Sequence, residues 1–281
     1  MKKKKQWTGI LLASPVIIGT FIFFLLPFLL IIKMSFFEEI GTYGVNNYKE
    51  VLLSSAFQLA AINTVKFILI VVPVILVSAL ALALVFRYIG NRGVFLRSTM
   101  LFPMIIPVGA FVIILQYFFG ELGIINQVLE HFAYKSVNWM ESKWAFALLV
   151  GIYIYKYLGY NSILILAGFN MIPKEQEEYA FLEGAKKKDI VRFIYLPQLV
   201  PVLFFTCVIS IVNSFKIYRE AFLIGGAHPN RNIYFLQHFL NNNFENLNYQ
   251  RLSVAAILVF LLIFFVTALM YKAQKKYEDL V

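Results

Sequence analysis

Charged residues are scarce in this sequence of 281 residues: they make up 14% of it, whereas 60% of the residues are hydrophobic. A soluble domain usually carries about 25% charged residues. A chain with a mean hydropathy of +0.76 has more apolar surface than one water-soluble core can bury. The composition therefore excludes an ordinary soluble domain and indicates a protein whose solvent is largely lipid.

Cysteine, histidine and nucleotide-binding motifs are also rare or missing. The single cysteine, Cys207, excludes an internal disulfide and a cysteine-based metal site. The three histidines, at positions 131, 228 and 238, lack the spacing of metal ligands. The sequence contains no G-x-x-x-x-G-K-S/T loop, no G-x-S-x-G elbow and no H-E-x-x-H motif. It therefore predicts no catalytic residue, no metal site and no cofactor held by this chain.

Long apolar runs dominate what is present. A helix needs about 20 residues to cross a hydrocarbon layer of about 30 Å, and six segments are long enough: 10–32, 64–86, 99–119, 144–168, 199–218 and 252–270. The first exceeds the apolar core of a signal peptide and is followed by no cleavage site, so we interpret it as a retained span. Prolines interrupt several spans, which predicts kinked helices around a cavity.

The basic residues set the predicted orientation. The net charge of +10 would suggest nucleic acid in a soluble protein, but here the excess lies beside the spans and acts as a topology signal. An N-terminus inside the cell puts the following basic residues on the inner side: Lys2–Lys5, Arg87, Arg92, Arg97, Lys174, Lys186–Lys188, Arg192, Lys272, Lys275 and Lys276. We therefore predict an all-α membrane protein, one transmembrane domain over residues 1–281, with both termini cytoplasmic.

The longest and most polar inner loop covers residues 170–198. It reads as a helix, a turn and a second helix, with Pro173 at a first helical position and Gly184 able to end the first helix in a left-handed conformation. That helix ends in an apolar cluster: Tyr179, Ala180, Phe181 and Leu182. An exposed apolar cluster indicates a protein partner, and the alternative is a helix lying on the lipid surface.

The same loop resembles the EAA loop of binding-protein-dependent ABC importer permeases. That signature is E-A-A, three residues, G, nine residues and I-x-L-P. Here Glu178, Ala180 and Gly184 match at this spacing, followed by Ile194-x-Leu196-Pro197. The one departure within these positions is Tyr179, where alanine is usual.

The resemblance extends over nearly the whole chain and is closest to the carbohydrate-uptake, maltose-type branch. The similar segments are 35–36, 46–48, 63–64, 103–107, 123–126, 167–173 and 224–226. In that branch proline usually follows the last of these segments directly, whereas here Ala227 and His228 come before Pro229. The resemblance implies the type I ABC importer permease fold, with six spans, in a bacterial inner membrane.

The partners follow from the same resemblance. It implies a second permease subunit, usually a different chain, and two ATPase subunits that carry the ATP and magnesium. It also implies an extracytoplasmic solute-binding protein that delivers a di- or oligosaccharide. The implied ATPase-coupling residues are Glu178, Tyr179, Ala180, Phe181, Leu182, Gly184 and Ala185. This chain would form the pathway, contact lipid and hydrolyse no ATP, and no nucleic acid partner is implied.

Polar residues within the spans are candidates for the substrate pathway. A charge at the centre of a span costs about 2.5–3.5 kcal/mol on insertion scales, so such residues tend to face protein or water. In maltose-type permeases the segments that match 155–162 and 213–218 contribute to the sugar site. The resulting candidates are Tyr155, Lys156, Gly159, Ser162, Asn213, Ser214 and Lys216.

The two lysines allow a sharper hypothesis. If Lys156 and Lys216 face one cavity, they favour an anionic saccharide, such as one containing uronate or sulfate. The alternative is that they extend to the membrane surface, or pair with Glu220 or with a partner subunit.

Other functions stay open at this point. A permease for a non-sugar solute, such as a phosphate ester or a polyamine, would share the EAA loop. An ion-coupled secondary transporter often has inverted repeats, which this sequence lacks. A membrane enzyme or scaffold has no supporting motif.

Overall fold

The computed structural model describes residues 12–38 and 41–278. The chain is almost entirely helical there: it has no β-strand within those ranges, and one isolated bridge pairs Phe37 with Tyr43. The predicted all-α fold is thus confirmed. The basic residues at positions 2–5, on which the predicted orientation partly depends, lie outside the described ranges.

The helices are numbered in chain order. The first seven are α1 (Leu12–Ser35), α2 (Asn46–Leu53), α3 (Ser55–Ile89), α4 (Val94–Thr99), α5 (Phe102–Ile105), α6 (Val108–Phe119) and α7 (Ile124–His131). The next seven are α8 (Trp144–Met171), α9 (Lys174–Leu182), α10 (Lys187–Ile190), α11 (Leu196–Ser214), α12 (Tyr218–Gly225), α13 (Leu236–Glu245) and α14 (Tyr249–Glu278).

Six helical stretches are long and apolar enough to cross a membrane. They are Leu12–Ser35, Ser55–Ile89, Val108–His131, Trp144–Met171, Lys187–Gly225 and Tyr249–Lys275. The predicted number of spans is confirmed by length and composition, and most stretches extend beyond the predicted bounds. The length of an apolar run underestimates the length of its helix when the polar ends of the helix continue past the hydrocarbon layer.

The third predicted span, 99–119, is wrong as a continuous helix. The chain breaks between α5 and α6, where Ile106 and Pro107 are extended, with ψ angles of 126° and 137°. Proline disfavours the helical conformation in the residue before it, which is Ile106 here. The spanning stretch therefore begins at Val108, and the apolar residues before it form two short helices.

Other prolines are accommodated inside long helices. Pro73 and Pro201 lie within α3 and α11 without ending them. Pro27 and Pro197 each follow a π-helical turn, at Phe21–Leu25 and Val191–Tyr195. Proline lacks a backbone N–H, so one carbonyl in the preceding turn has no donor at the usual spacing. A π-helical turn beside the proline lets such carbonyls accept from other N–H groups.

The segment 219–251, which lies between the fifth and sixth predicted spans, is mostly helical. It contains α12, a 3₁₀ turn at Arg231–Ile233 and α13. Gly226 ends α12 with a φ of +68°, which glycine adopts without steric cost. The asparagine run 241–243 lies within α13, where Asn242 is buried and its two neighbours are half-buried.

The described residues group into two compact units. The first comprises the residues up to Gln58 together with Phe239–Phe264. Within it, the Ser35 hydroxyl lies 2.8 Å from the Tyr48 hydroxyl, and the exposed Arg251 donates to Glu50 at 3.0 Å. The Phe28 and Phe260 rings pack with centroids 4.9 Å apart.

The second unit comprises Leu59–His238 and the residues from Phe265 onward, and it has two hydrophobic clusters. One includes the buried residues Phe67, Leu149, Tyr153 and Ile217. The other includes Phe86, Phe169, Tyr195 and Leu199. Helix α8 contributes to both clusters and therefore forms the centre of this unit.

Candidate functional site

The predicted coupling loop folds as helix, turn and helix. Helix α9 covers Lys174–Leu182, and Pro173 precedes it with a ψ of 135°. The prediction that Pro173 opens the helix is therefore wrong by one residue, because this extended proline turns the chain out of α8. Gly184 has a φ of +84°, and the Ala185 N–H donates to the Ala180 carbonyl at 2.9 Å. The left-handed end at Gly184 is confirmed.

The seven predicted coupling residues divide into two groups. Tyr179, Phe181 and Leu182 expose 70%, 48% and 82% of their surface, and Glu178 is also exposed. Ala180 and Ala185 pack against the second hydrophobic cluster, and Gly184 forms the turn between the helices. The loop thus presents large apolar side chains outward while its small residues attach it to the rest of the unit.

Arg87, at the end of α3, holds this loop in position. Its guanidinium donates to the Phe169 carbonyl at 2.8 Å and to the Glu177 carboxylate. The Arg87 Cζ lies 5.8 Å from the centroid of the Tyr195 ring. From the sequence, Arg87 was predicted only to help set the orientation, because basic residues are common at the ends of spans.

Lys156, a candidate for the substrate pathway, is paired within the chain. Its ammonium group donates to the Glu220 carboxylate, and the two residues expose only 6% and 2% of their surface. The Lys156 Nζ also lies 5.9 Å from the Phe111 ring and 6.0 Å from the Tyr157 ring. The alternative that Lys156 pairs with Glu220 is thus the observed arrangement, and the positive charge is compensated within the chain.

Several other pathway candidates are packed into the unit. A Cβ added at Gly159 would lie 2.0 Å from the Met100 carbonyl oxygen, so this glycine permits a close approach between two segments. The buried Ser162 and Ser214 hydroxyls donate to backbone carbonyls of their own segment, at 2.6 Å and 2.5 Å. The Asn213 side chain is likewise buried. These residues are therefore packed or hydrogen-bonded within the chain, and their place in the substrate pathway stays a prediction.

Tyr155 is different, because 54% of its surface is exposed and its ring faces an open cavity. The ring stacks on Phe111 at a centroid distance of 6.0 Å and an angle of 19°. The cavity has a volume of about 510 Å³ and lies between α6 and α8. Its lining residues are Ile106, Phe111, Ile114, Leu115, Phe119, Trp139, Trp144, Ala147, Leu148, Gly151, Ile152 and Tyr155.

Most of this aromatic lining was not predicted. Phe111 and Trp144 belong to predicted spans and Trp139 lies between two spans, and a tryptophan beside a span usually marks the membrane interface. The last pathway candidate, Lys216, is exposed, as is the nearby Arg219. The structure therefore brings Tyr155 and Phe111 together and leaves Lys216 exposed. The charge of Lys156 is not available to a substrate, because it is paired with Glu220.

Potential metal ligands among the described residues lie apart from one another. Within residues 12–38 and 41–278 no group of three or more His, Cys, Asp or Glu residues could hold a metal ion. His238 is fully buried, and its Nδ1 accepts from the Phe235 N–H at 3.1 Å. Burial, with a smaller contribution from His228, lowers the pKa of His238 to about 4, so this imidazole stays neutral at physiological pH.

Comparison with known proteins identifies the class. Residues 91–277 match the family described as "Binding-protein-dependent transport system inner membrane component". This match covers more than half of the chain. The chain therefore belongs to this family of inner-membrane ABC importer permeases, which are transport subunits and not enzymes, and the family predicted from the EAA loop is confirmed.

Individual relatives agree with this assignment. The chain is 28% identical over 231 residues to the arabinooligosaccharides transport system permease protein of Bacillus subtilis, covering 78% of this chain and 72% of that protein. It is 28% identical over 274 residues to the sulfoquinovosyl glycerol transport system permease protein of Agrobacterium fabrum, covering 92% and 88%.

The fold is also similar to a solved structure. A bacterial ABC transporter involved in the import of the acidic polysaccharide alginate superimposes with a TM-score of 0.86 at 18% identity, covering 97% of this chain and 96% of that chain. At this identity the likeness establishes the fold alone. The predicted six-span permease fold is thereby confirmed.

Proposed function

We propose that this chain is one transmembrane subunit of an ATP-driven importer for a di- or oligosaccharide. The observation that carries the proposal is the similarity to carbohydrate permeases over most of the chain, with 92% of it covered by the match to the sulfoquinovosyl glycerol permease. The aromatic cavity beside Tyr155 supports it independently. Aromatic faces pack against the apolar faces of sugar rings, and two stacked rings already line this cavity.

The assembly around the chain is part of the proposal. A second permease subunit, usually a different chain in this branch, completes the pathway, and two ATPase subunits carry the ATP and magnesium. A solute-binding protein delivers the sugar from outside. The whole of residues 1–281 acts as a single permease domain, with both termini and the 170–198 loop in the cytoplasm.

The exposed face of α9 supports the proposed site for the ATPase. Tyr179, Phe181 and Leu182 together present an apolar surface on a short helix beside polar and charged residues. Burial of apolar surface contributes about 25 cal/mol per Å² to association, so a groove on a partner that covers these side chains would bind them. The proposed coupling site comprises Glu178, Tyr179, Ala180, Phe181, Leu182, Gly184 and Ala185.

An anionic saccharide is a second candidate, and it is favoured by one observation. Lys216 and Arg219 are exposed close together in sequence, where α11 passes into α12, whereas Lys156 is compensated by Glu220. The alginate importer, which handles an acidic polysaccharide, has the same fold. In this version of the proposal Lys216 and Arg219, and not Lys156, attract the negative charge.

Reconstitution tests the proposed function. The complex purified with its permease partner, ATPase and binding protein is placed in lipid vesicles, and uptake of labelled neutral and uronate-containing oligosaccharides is measured with and without ATP. We expect uptake of a saccharide only with ATP and binding protein. Uptake driven by an ion gradient without ATP would instead identify a secondary transporter, and uptake of only a phosphate ester or polyamine would overturn the sugar assignment.

Affinity purification tests the coupling site separately. Wild type should co-purify with a second permease and an ATPase in mild detergent. The double variant Glu178→Lys with Gly184→Pro should lose the ATPase and keep the second permease, because it reverses a charge and blocks the turn at Gly184. Unchanged ATPase recovery would contradict the coupling assignment.

The charge assignment has its own comparison. For an anionic cargo, Lys216→Gln should reduce uptake of the uronate-containing oligosaccharide and leave uptake of its neutral analogue unchanged. Equal uptake of both sugars by wild type would exclude a preference for anionic cargo.

A further inference from the structure

We propose that Arg87 is a positioning residue that makes α9 move as one body with α3 and α8. The proposal rests on the proposed function, since it concerns how movement of the coupling helix reaches the pathway. It adds a residue outside the 170–198 loop to the coupling machinery.

Four segments of the chain meet at the Arg87 side chain. The guanidinium extends from α3 and donates to the Phe169 carbonyl in α8, at 2.8 Å. It also donates to the Glu177 carboxylate in α9. The Tyr195 ring, in the π turn before α11, lies 5.8 Å from the Arg87 Cζ and contacts the Phe169 ring edge-on at 5.1 Å. One side chain thus links the coupling helix to both flanking spans.

The contact is too buried to be an ordinary surface ion pair. The Arg87 and Glu177 side chains expose 10% and 20% of their surface, whereas exposed pairs contribute little to stability. Arginine presents a planar fork of donors that can bond two acceptors in fixed directions, which lysine cannot reproduce. The fork here is divided between a carbonyl of α8 and a carboxylate of α9, so it fixes the position of one helix against the other.

Helix α9 has other attachments: Ala180 packs against the second hydrophobic cluster, and Ile172 and Pro173 join the helix to α8. The helix has nine residues, too few to be stable alone in water. The Gln198 side chain donates to the Gln176 side chain at 2.7 Å, and this contact is exposed. The large apolar residues of α9 are exposed and do not attach it to the unit. The Arg87–Glu177 pair joins α9 to α3, so a force applied to α9 reaches α3 through this contact as well as through α8.

Variants of the assembled complex test this role. Arg87→Gln and Glu177→Gln each remove one half of the contact, and Glu175→Gln is the matched control, because Glu175 lies in the same helix and is exposed. The measurements are ATPase recovery on purification, ATP hydrolysis rate, and solute imported per ATP hydrolysed in lipid vesicles. The solute is whichever one wild type transports, so the test remains valid if the cargo is not a sugar.

We expect Arg87→Gln and Glu177→Gln to assemble and to hydrolyse ATP, but to import at least about fivefold less solute per ATP, the lower range of coupling between two sites. Glu175→Gln should match wild type. Import per ATP equal to wild type in Arg87→Gln would overturn the proposal. Loss of ATPase recovery in both variants would also overturn it, because Arg87 would then be needed for assembly and not for transmission.

Arg87→Lys separates charge from geometry. It keeps the positive charge but cannot hold the Phe169 carbonyl and Glu177 together, so import per ATP should again fall. Full coupling in this variant would contradict the role assigned to the divided fork.

Discussion

Helices α1 and α8 are both long enough to cross a membrane, but the more apolar of the two is the less buried one. Helix α1 is the more apolar of the two, and none of its most apolar window is buried within the chain. In α8, half of the most apolar stretch is buried. The buried residues of this helix include Lys156, Asn161 and Ser162.

Polar side chains, more than apolar ones, decide which helix lies inside a membrane protein. Lipid chains are as apolar as leucine side chains, so apolar character alone does not drive a helix inward. Polar side chains do need protein partners, because the hydrocarbon layer offers none. In this chain the polar residues of a span, and not its most apolar ones, mark the helix at the centre of the second unit.

The largest expected effect comes from removing the partner of Lys156. Glu220→Gln leaves an uncompensated charge inside α8, and we expect it to destabilise the folded chain by about 3–5 kcal/mol. The measurement is the thermal midpoint of the detergent-solubilised protein, followed by size-exclusion chromatography. The double variant Lys156→Met with Glu220→Met removes both charges and should recover most of the loss. A midpoint equal to wild type in Glu220→Gln would contradict the buried pairing.

His238 is a second buried ionisable group, and it lies outside the spans. Its native pKa is about 4 against an ordinary value of 6.5, so above about pH 6.5 both states are neutral and stability is complete. As the pH falls toward 4, the unfolded state binds a proton that the native state excludes, which lowers the free energy of unfolding by on the order of 3 kcal/mol.

Unfolding midpoints measured across this pH range check the prediction for His238. The control is His238→Asn, whose side-chain oxygen can still accept from the Phe235 N–H. This variant lacks the titrating group, so its stability should fall less steeply with acid than that of wild type. Parallel pH profiles would show that His238 does not contribute.

Paired glycines test packing in the two helices directly. Gly159→Ala in α8 would bring a Cβ within 2.0 Å of the Met100 carbonyl oxygen, whereas Gly19 in α1 has nothing within 4 Å of the same added atom. We expect Gly159→Ala to cost about 1–3 kcal/mol, and Gly19→Ala to be neutral or slightly stabilising. Equal midpoints for the two variants would remove the distinction between the helices.

A smaller effect should follow from the amide in α8. The Ser210 hydroxyl lies 3.0 Å from the Asn161 side-chain oxygen, and Asn161 donates to the Tyr157 carbonyl at 2.8 Å. Hydrogen bonds between membrane helices contribute about 0.6 kcal/mol on average, so Asn161→Leu should cost about that much. Ser210→Ala and the double variant complete a cycle, and additive losses would mean that the pair does not interact.

The smallest effect is expected in α1. Phe23 exposes 75% of its surface, so Phe23→Leu should change the free energy of unfolding of the isolated chain by less than about 0.5 kcal/mol. The same thermal midpoint measures it. A larger loss would indicate that α1 is packed and would weaken the contrast with α8.

Much of the fold could be predicted from the sequence. Apolar length gives the six spans, and the turn at Gly184 follows from a glycine placed at the end of a predicted helix. The break at Ile106 and Pro107 was missed as a break, although proline preceded by an apolar residue was the available signal. Hydropathy measures how apolar a segment is and does not report where its helix stops.

The contacts of the candidate site could be predicted only in part. The Lys156–Glu220 pair was one of several alternatives, and the Arg87–Glu177 contact was not foreseen. The partners lie 64 and 90 residues apart in sequence, so no local periodicity connects them. The aromatic cavity was missed for the same reason, since Phe111 and Tyr155 come from different helices.

The separation of Lys156 from Glu220 has a consequence during synthesis. Translation proceeds at about 5–20 residues per second, so the 64 residues between them take roughly 3–13 seconds to make. For that interval the nascent fourth span carries a lysine whose carboxylate does not yet exist. Until α12 has emerged, the charge of Lys156 costs about 2.5–3.5 kcal/mol at the centre of the span unless it lies next to water or protein.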